Sequence, residues 1–433
     1  MIRKPRGTND ILPETIQKWL FVENQFRQIC REYNFGEIRT PMFEKTSLFK
    51  RGVGDTTDIV QKEMYNVLSD DALLKYKEDK LKTKKRLTLK PEGTAPVVRA
   101  FVENKLYAEK QPTKLFYITP CFRHERPQAG RLRQFHQFGI ETFSAESATT
   151  DAEIISLADK FFKRLGIDNL TLKINSVGCP ECRHAYHEKL KKFLEPKLHD
   201  LCETCNERYE TNPLRILDCK NETCQETIHG APMMIDHLCD DCSVHFEELK
   251  ISLQAVNCDY VVDPKIVRGL DYYTKTAFEF ISTDLGAQAT VCGGGRYNGL
   301  VKQVDGPETP GVGFGLGIER LLMILEARDF TFDEKETLDV FIITFDKETK
   351  YEAMKYATKL RNEGVSVDID HIERSFKAQF RYSDSLDSKY TIILGPDEIK
   401  NQLFTLKNMK TGNQVEIEMD NLEKIVKLVK ERR

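Results

Sequence analysis

Residues 122–141 read FRHERPQAGRLRQFHQFGIE, and this stretch decides the fold. Phe122-Arg123-His124-Glu125 reads as the end of one strand, and Leu132-Arg133-Gln134-Phe135 opens the return strand of a hairpin. A planar guanidinium grips a phosphate bidentately, so Arg123, fixed on a strand, is suited to one phosphate while loop arginines such as Arg131 reach the others. Far downstream, residues 311–320 read GVGFGLGIER. Gly311, Gly313, Gly315 and Gly317 leave that strand almost bare of side chains, which lets a flat base approach the backbone. Glu319 and Arg320 then open an apolar helix. Both segments are built to hold a nucleoside triphosphate.

Composition bounds the rest. At 433 residues the chain is long enough for two or three domains, each burying its own core. With 65 basic and 68 acidic residues the net charge is −3, which excludes a globally basic nucleic-acid coat. Any RNA contact is then local, and Lys80, Lys82, Lys84, Lys85 and Arg86 form one basic run that reads equally as a solvated loop. No stretch of apolar residues is long enough to span a membrane, and the N-terminal MIRKPRGTNDILPE lacks the apolar core of a signal peptide, so a cytoplasmic protein is expected.

Twelve cysteines in such a chain point to metal or redox chemistry rather than a disulfide framework. Eight of them lie between Cys179 and Cys242: Cys179-x-x-Cys182, Cys202-x-x-Cys205, Cys219 with Cys224, and Cys239-x-x-Cys242. The spacing from Cys182 to Cys202 suits a four-thiolate zinc ribbon of Cys179, Cys182, Cys202 and Cys205, with Cys219, Cys224, Cys239 and Cys242 as a second quartet. Zinc would then replace the large apolar core that a segment this polar is not expected to assemble. Cys30, Cys121, Cys258 and Cys292 stand alone and read as core residues.

Three regions follow. Up to about residue 175, helices such as Thr15 to Tyr33 alternate with short strands such as Leu115 to Thr119. Residues 176–255 read as an inserted, mostly helical, cysteine-rich segment. Strand character returns at Ile266 to Phe280 and Ala289 to Cys292, so 1–175 and 256–330 together form an α+β core of antiparallel hairpins flanked by helices. After an acidic linker, Thr331 to Thr337, residues 338–433 alternate strands and helices: strand Leu338 to Ile343, helix Glu352 to Asn362, strand Val365 to Ile369, helix Phe376 to Ser385, strand Tyr390 to Leu394. That alternation predicts a compact α/β domain with a largely parallel sheet.

The order of these segments resembles motifs 2 and 3 of class II aminoacyl-tRNA synthetases, with Tyr33-Asn34-Phe35-Gly36-Glu37-Ile38-Arg39-Thr40-Pro41 as a candidate motif 1. Residues 266–274, IVRGLDYYT, 292–300, CGGGRYNGL, and 91–99, PEGTAPVVR, narrow the resemblance to the histidyl-tRNA synthetase family, and the likeness runs from Pro5-Arg6-Gly7-Thr8 through Arg320 into the C-terminal domain. It implies a class II antiparallel-sheet core, activation of L-histidine by ATP with Mg²⁺, transfer to tRNA(His), a homodimer, and an anticodon-binding role for residues 338–433. The zinc expectation comes from cysteine spacing, because the family does not generally require the full octet.

Carried over by position, the resemblance gives Arg268 and Arg123 catalytic roles on the α-phosphate, and places Glu125, Arg131 and Arg320 with Arg123 around ATP. It assigns Glu92, Thr94, Gln137, Glu141, Arg268, Tyr273 and Tyr297 to histidine, and Arg126 and Gln128 to the tRNA acceptor end. The types suit the task, because an ammonium needs a carboxylate and an imidazole needs polar partners. Lys90 stands where the family more often has arginine, and Asp70 to Arg86 is longer and more basic than its usual connection. Two rival classes fit part of the pattern: a catalytically weak synthetase-like paralogue acting as a regulatory subunit, and an RNA-binding protein whose working part is the cysteine segment.

Overall fold

The computed structural model describes residues 1–433 except 55–56, 79, 83–84, 220, 267–271, 284–289, 333–336 and 432–433. The chain divides into two compact units, Met1–Phe332 and Asp333–Arg433. In the first, β1 (Gly36–Glu37) is followed by a small sheet of β2 (Phe43–Lys45), β3 (Asn66–Val67) and β4 (Leu87–Leu89). Then come β5 (Thr113–Phe122), β6 (Gln134–Phe143), β7 (Leu170–Ser176), β8 (Val261–Val262), β9 (Thr274–Ser282), β10 (Thr290–Arg296) and β11 (Gly311–Gly317). With β1 these form an eight-stranded sheet in the order β1-β5-β6-β11-β10-β9-β7-β8, antiparallel from β5 through β7.

Period-two alternation sorts this sheet into a core face and a working face. Phe116, Phe138, Ile140, Phe314, Leu316, Phe278, Phe280, Leu172 and Ile174 point one way into the main core, where helices Pro13–Glu32 and Ala148–Arg164 cover them. On the other face the register aligns Tyr117 with Gly139, Gly139 with Gly315, and Gly315 with Gly293, giving a row with little side chain beyond the tyrosine. The segment Ile266 to Phe280 becomes strand only from Thr274, and residues 267–271 and Ala289 lie outside the described residues.

The cysteine-rich segment packs within the first unit. It has a compact apolar cluster of its own, built from Tyr186, Leu190, Leu194, Leu214, Ile216 and Met234 with five buried cysteines and three half-buried ones, so the expectation of a segment without a core is corrected. Its last helix, Asp240–Ala255, carries Phe246, Leu249 and Leu253 into the main core instead.

The second unit has strands β12 (Val340–Thr344), β13 (Val367–Ile369), β14 (Tyr390–Leu394), β15 (Leu403–Asn408) and β16 (Gln414–Glu418) in the order β13-β12-β14-β15-β16. All five residues of β12 are buried, as a continuous apolar run at a sheet centre should be. Only β13, β12 and β14 are parallel, so the expected largely parallel sheet is in fact mixed. The last two strands form a hairpin whose short turn, with Gly412 at φ 75°, permits only antiparallel pairing.

Candidate active site

The hairpin β5–β6 runs in register from Thr113 opposite Phe143 to Phe122 opposite Gln134. Arg123 follows directly, its N–H donating to the Arg133 carbonyl at 2.9 Å and its Nε to the Pro91 carbonyl at 2.9 Å, while the guanidinium lies 5.1 Å from the Phe135 ring centre. Gln128 and Arg131 exchange backbone hydrogen bonds across a tight turn in which Gly130 takes φ 70°. That turn meets Arg320, whose Nε donates to the Gly130 carbonyl at 3.0 Å and whose Nη1 donates to the Thr290 carbonyl at 2.6 Å. Burial, followed by repulsion from Arg131, pulls the Arg320 pKa down, yet a guanidinium stays charged at neutral pH. Arg123, Glu125, Arg131, Gln137, Glu319 and Arg320 line a cleft of about 880 Å³ floored by Gly293, Gly315 and Gly317. Glu319 is held by the His136 backbone N–H and ring, each at 3.0 Å. Arg126 and Gln128, on the same loop, are exposed and outside the cleft lining.

Beside the cleft on the same sheet face is a closed, polar cluster. Glu141 is fully buried, and the hydroxyls of Tyr297 and Tyr117 donate to its two carboxylate oxygens, the latter at 3.3 Å. Burial is the largest effect on Glu141 and pushes its carboxyl up to about 8. Glu92 accepts the N–H groups of Thr94 and Ala95 at 2.7 and 2.9 Å at the start of helix Thr94–Glu103, and burial still raises its pKa. Gln137 bridges the two regions: it lines the cleft, and its Oε1 accepts from the Gly93 N–H at 3.2 Å and the Cys121 thiol at 3.3 Å. Tyr273 is buried with its ring 4.7 Å from that of Tyr272, which in turn meets Tyr297 edge-on. Arg268 lies outside the described residues.

The glycine strand divides between the two regions. A Cβ on Gly313 would stand 2.0 Å from the Glu141 carboxylate and 2.2 Å from the Ile140 carbonyl, and one on Gly311 would strike the Tyr297 ring at 2.3 Å. Gly315 and Gly317 meet nothing closer than 3.6 and 3.9 Å. Bareness for a flat ligand therefore describes the second pair, whereas the first pair makes room for the carboxylate and the tyrosine.

Sequence reading missed several groups. Tyr117 fits over the missing side chains of Gly93 and Gly139, either of whose Cβ would come within 2.2 Å of its ring. Its place opposite Gly139 in a hairpin is a signal that pairing the two strands by residue supplies. Arg296, fully buried, donates to both Asp151 oxygens, and His245 Nε2 lies 3.0 Å from the same carboxylate. This network ties the end of β10, and so the adjoining Tyr297, to two helices. Lys90 is buried, its Nζ donating to the Thr40 carbonyl and hydroxyl at 3.2 and 3.1 Å beside Pro41. In the basic run, Lys80 pairs with Glu78 and Arg86 lies over the Tyr76 ring, while Lys84 is outside the described residues.

None of the twelve cysteines forms a disulfide, and eight gather as two quartets whose sulfurs lie within 4.8 Å of one another. The grouping is nested: Cys179, Cys182, Cys239 and Cys242 form one, and Cys202, Cys205, Cys219 and Cys224 the other. This corrects the pairing expected from linear spacing, because the first and last CxxC turns meet where the segment leaves and rejoins the core. A tetrahedral zinc with Zn–S bonds of ~2.3 Å needs sulfurs ~3.8 Å apart. The Cys179–Cys182, Cys179–Cys239 and Cys202–Cys219 separations are 3.6, 3.9 and 4.0 Å. The N–H groups of Cys239 and Cys202 also donate to the sulfurs of Cys182 and Cys224, as they would to thiolates.

The family model for histidyl-tRNA synthetase matches residues 7–321, and that for the anticodon binding domain matches 339–428. Among curated proteins, the histidine--tRNA ligase of Clostridioides difficile is 56% identical over 423 residues, covering 98% of either chain. That of Caldanaerobacter subterraneus is 54% identical over 427 residues, covering 99% of this chain and all of the other. Among solved structures, the apo histidyl-tRNA synthetase of S. aureus superposes with a TM-score of 0.81 at 40% identity, covering 99% of this chain and 100% of that one. With an arginine-lined cleft and a carboxylate–tyrosine pocket on one face of an antiparallel sheet, and full-length relatives at this level, the chain belongs to the histidyl-tRNA synthetase family.

Proposed function

We infer that the protein is a histidine--tRNA ligase, which activates L-histidine with ATP and transfers it to tRNA(His). The observation that carries this reading is the placement of Glu141, sealed between Tyr117 and Tyr297, beside a cleft walled by Arg123, Arg131 and Arg320. In the reaction the histidine carboxylate attacks the α-phosphorus of ATP and the bond to pyrophosphate breaks. No protein nucleophile is needed, so catalysis rests on positioning and on fixed positive charge. Arg123, braced by the Pro91 carbonyl and Phe135, and Arg268 are assigned to the α-phosphate, and Arg131 and Arg320 to the outer phosphates. Glu125 completes the ATP set. Glu125 and Glu279 are cleft-lining carboxylates that would hold Mg²⁺, which would supply further positive charge for the triphosphate.

On the amino-acid side, Glu92 and Thr94 are assigned to the substrate ammonium and backbone, and Gln137, Glu141, Tyr273 and Tyr297 with Arg268 to the rest of histidine. A pocket of buried hydrogen-bonding groups rejects apolar amino acids, because they would leave those groups unpaired. Arg126 and Gln128, exposed on the hairpin loop, are assigned to the acceptor end of the tRNA. Residues 338–433 take the anticodon, and 1–175 with 256–330 form the catalytic core around the 176–255 insert. The working protein is a cytoplasmic homodimer in this reading, and the two cysteine quartets each hold a structural zinc. Among the described residues no helix is long and apolar enough to cross a membrane.

Histidine-dependent exchange of pyrophosphate into ATP, followed by charging of tRNA(His), tests the reading. Exchange that requires histidine is expected. Exchange with another amino acid would overturn the histidine specificity, and none at all would overturn the reading and favour the regulatory or RNA-binding alternatives.

A further inference from the structure

One wall of the ATP cleft comes from the cysteine-rich insert: Arg215, Leu217, Asp218, Cys219 and Gln225 line it. Cys219 belongs to the second quartet, and the Gln225 amide donates to its carbonyl. From the same cysteine-held loop two arginines converge on one core carboxylate. Arg215 Nη2 lies 3.2 Å and Arg208 Nη2 3.7 Å from Asp58 Oδ2, and Arg208 Nη1 donates to the Arg215 carbonyl at 3.2 Å. Arg208 stands three residues after Cys205 and Arg215 four before Cys219, so the quartet fixes both ends of the segment that carries them. Asp58 precedes the helical turn Ile59–Glu63, whose Glu63 carbonyl accepts the His124 N–H at 2.7 Å, next to Arg123. Ile59 and Glu63 line the cleft as well. A continuous path thus runs from the second quartet through Arg215 and Asp58 to the residue beside the phosphate-binding arginine.

We propose that Arg215 and Arg208 are positioning residues that clamp Asp58 and hold the ATP side of the cleft in shape, and that the second quartet, once metal-bound, sets their position. The part concerning metal rests on the zinc reading above. The clamp does not depend on it. The first quartet contributes none of the cleft lining, so the two quartets have separable roles. Asp58 is 44% exposed, so the pair adds little to global stability, and its value lies in the geometry of the wall.

The test uses the full-length protein and measures affinity for ATP with magnesium and, separately, for histidine by equilibrium dialysis, together with bound metal by elemental analysis. Arg215→Met and Asp58→Asn should each weaken ATP roughly three- to ten-fold, the double variant no further, with histidine affinity unchanged. Unchanged ATP affinity in both single variants, or an equal loss for histidine, overturns the clamp. Cys224→Ser should lose one metal ion and weaken ATP to the same degree, whereas Cys239→Ser should lose the other ion and leave ATP affinity intact. A metal-free wild-type protein overturns the zinc reading while the arginine variants still decide the clamp. Metal loss in Cys224→Ser without a change in ATP affinity overturns the link between quartet and cleft.

Discussion

The arginine cleft and the carboxylate–tyrosine pocket share one face of one sheet, yet they hold charge in opposite ways. In the cleft, Arg123 and Arg320 are braced by backbone carbonyls, which fix the guanidinium planes around space large enough for a triphosphate. In the pocket, Glu141 is fully buried with no described cation among its hydrogen-bonding partners, and its pKa rises to about 8 because desolvation outweighs the hydroxyls of Tyr297, Thr94 and Tyr117. What separates the two is a two-residue step along β11: Gly313 sits over Glu141, and Gly315 opens on the cleft beside Gln137. In the proposed reaction, fixed positive charge serves a transition state rich in negative charge, and a desolvated, shaped pocket serves discrimination.

The contrast breaks most visibly at the arginines. Arg123→Ala should reduce histidine-dependent pyrophosphate exchange about 10²–10³-fold with histidine affinity preserved, and Arg268→Ala should reduce exchange to the same degree while also weakening histidine, to which it is assigned. Exchange within a few-fold of wild type would remove either residue from the phosphate site. Next in size, Gly313→Ala drives a methyl into Glu141 and the Ile140 carbonyl, a strain of ~1–3 kcal/mol that should cost histidine affinity roughly ten- to a hundred-fold. Gly315→Ala, with its nearest neighbour at 3.6 Å, should leave histidine binding alone. Equal losses in the two variants would show that the strand does not divide as described.

The pH dependence of stability sharpens the same point at smaller scale. Glu141 titrates at 4.5 when unfolded and at about 8 when folded, so between those values the native state holds a proton that the unfolded chain has lost. Its contribution to stability is therefore full below pH ~4.5 and falls as pH rises towards ~8, by at most ~1.4 kcal/mol per unit. Urea unfolding of ligand-free protein across this window should show a shallower downward slope in Glu141→Gln, the remainder belonging to groups such as Glu92 whose pKa burial also raises; an unchanged slope in the variant assigns the proton to another group. The smallest expected change comes from ending the chain at Phe332. Cleft and pocket both lie in the unit Met1–Phe332, so exchange should persist while tRNA charging falls, provided that the shortened protein keeps its native assembly. Full charging efficiency would contradict the anticodon role of residues 338–433.

The arginines at 123, 131 and 320, the carboxylates at 92 and 141, and the tyrosines at 273 and 297 were legible because their segments are short, ordered and chemically explicit. The hairpin and the C-terminal alternation were legible for a local reason, since hydrophobic period and turn residues are written within a few positions. Quartet pairing was not, because Cys179 and Cys239 meet only after the insert has closed on itself, and linear spacing carries no record of that closure. Tyr117 was hidden for a related cause: a tyrosine in an alternating strand gains its meaning from Gly93 and Gly139, neither of which is near it in the chain. Arg296, Asp151 and His245 come from three elements and bury charge that only mutual contact makes tolerable. The sequence by itself determined the α+β character of the core, the α/β character of residues 338–433 and the chemical types in the site. The tertiary structure alone decided which cysteines share a site, which glycines make room for a carboxylate and which for a ligand, and that the insert forms a wall of the cleft, because each depends on cross-strand register and long-range packing.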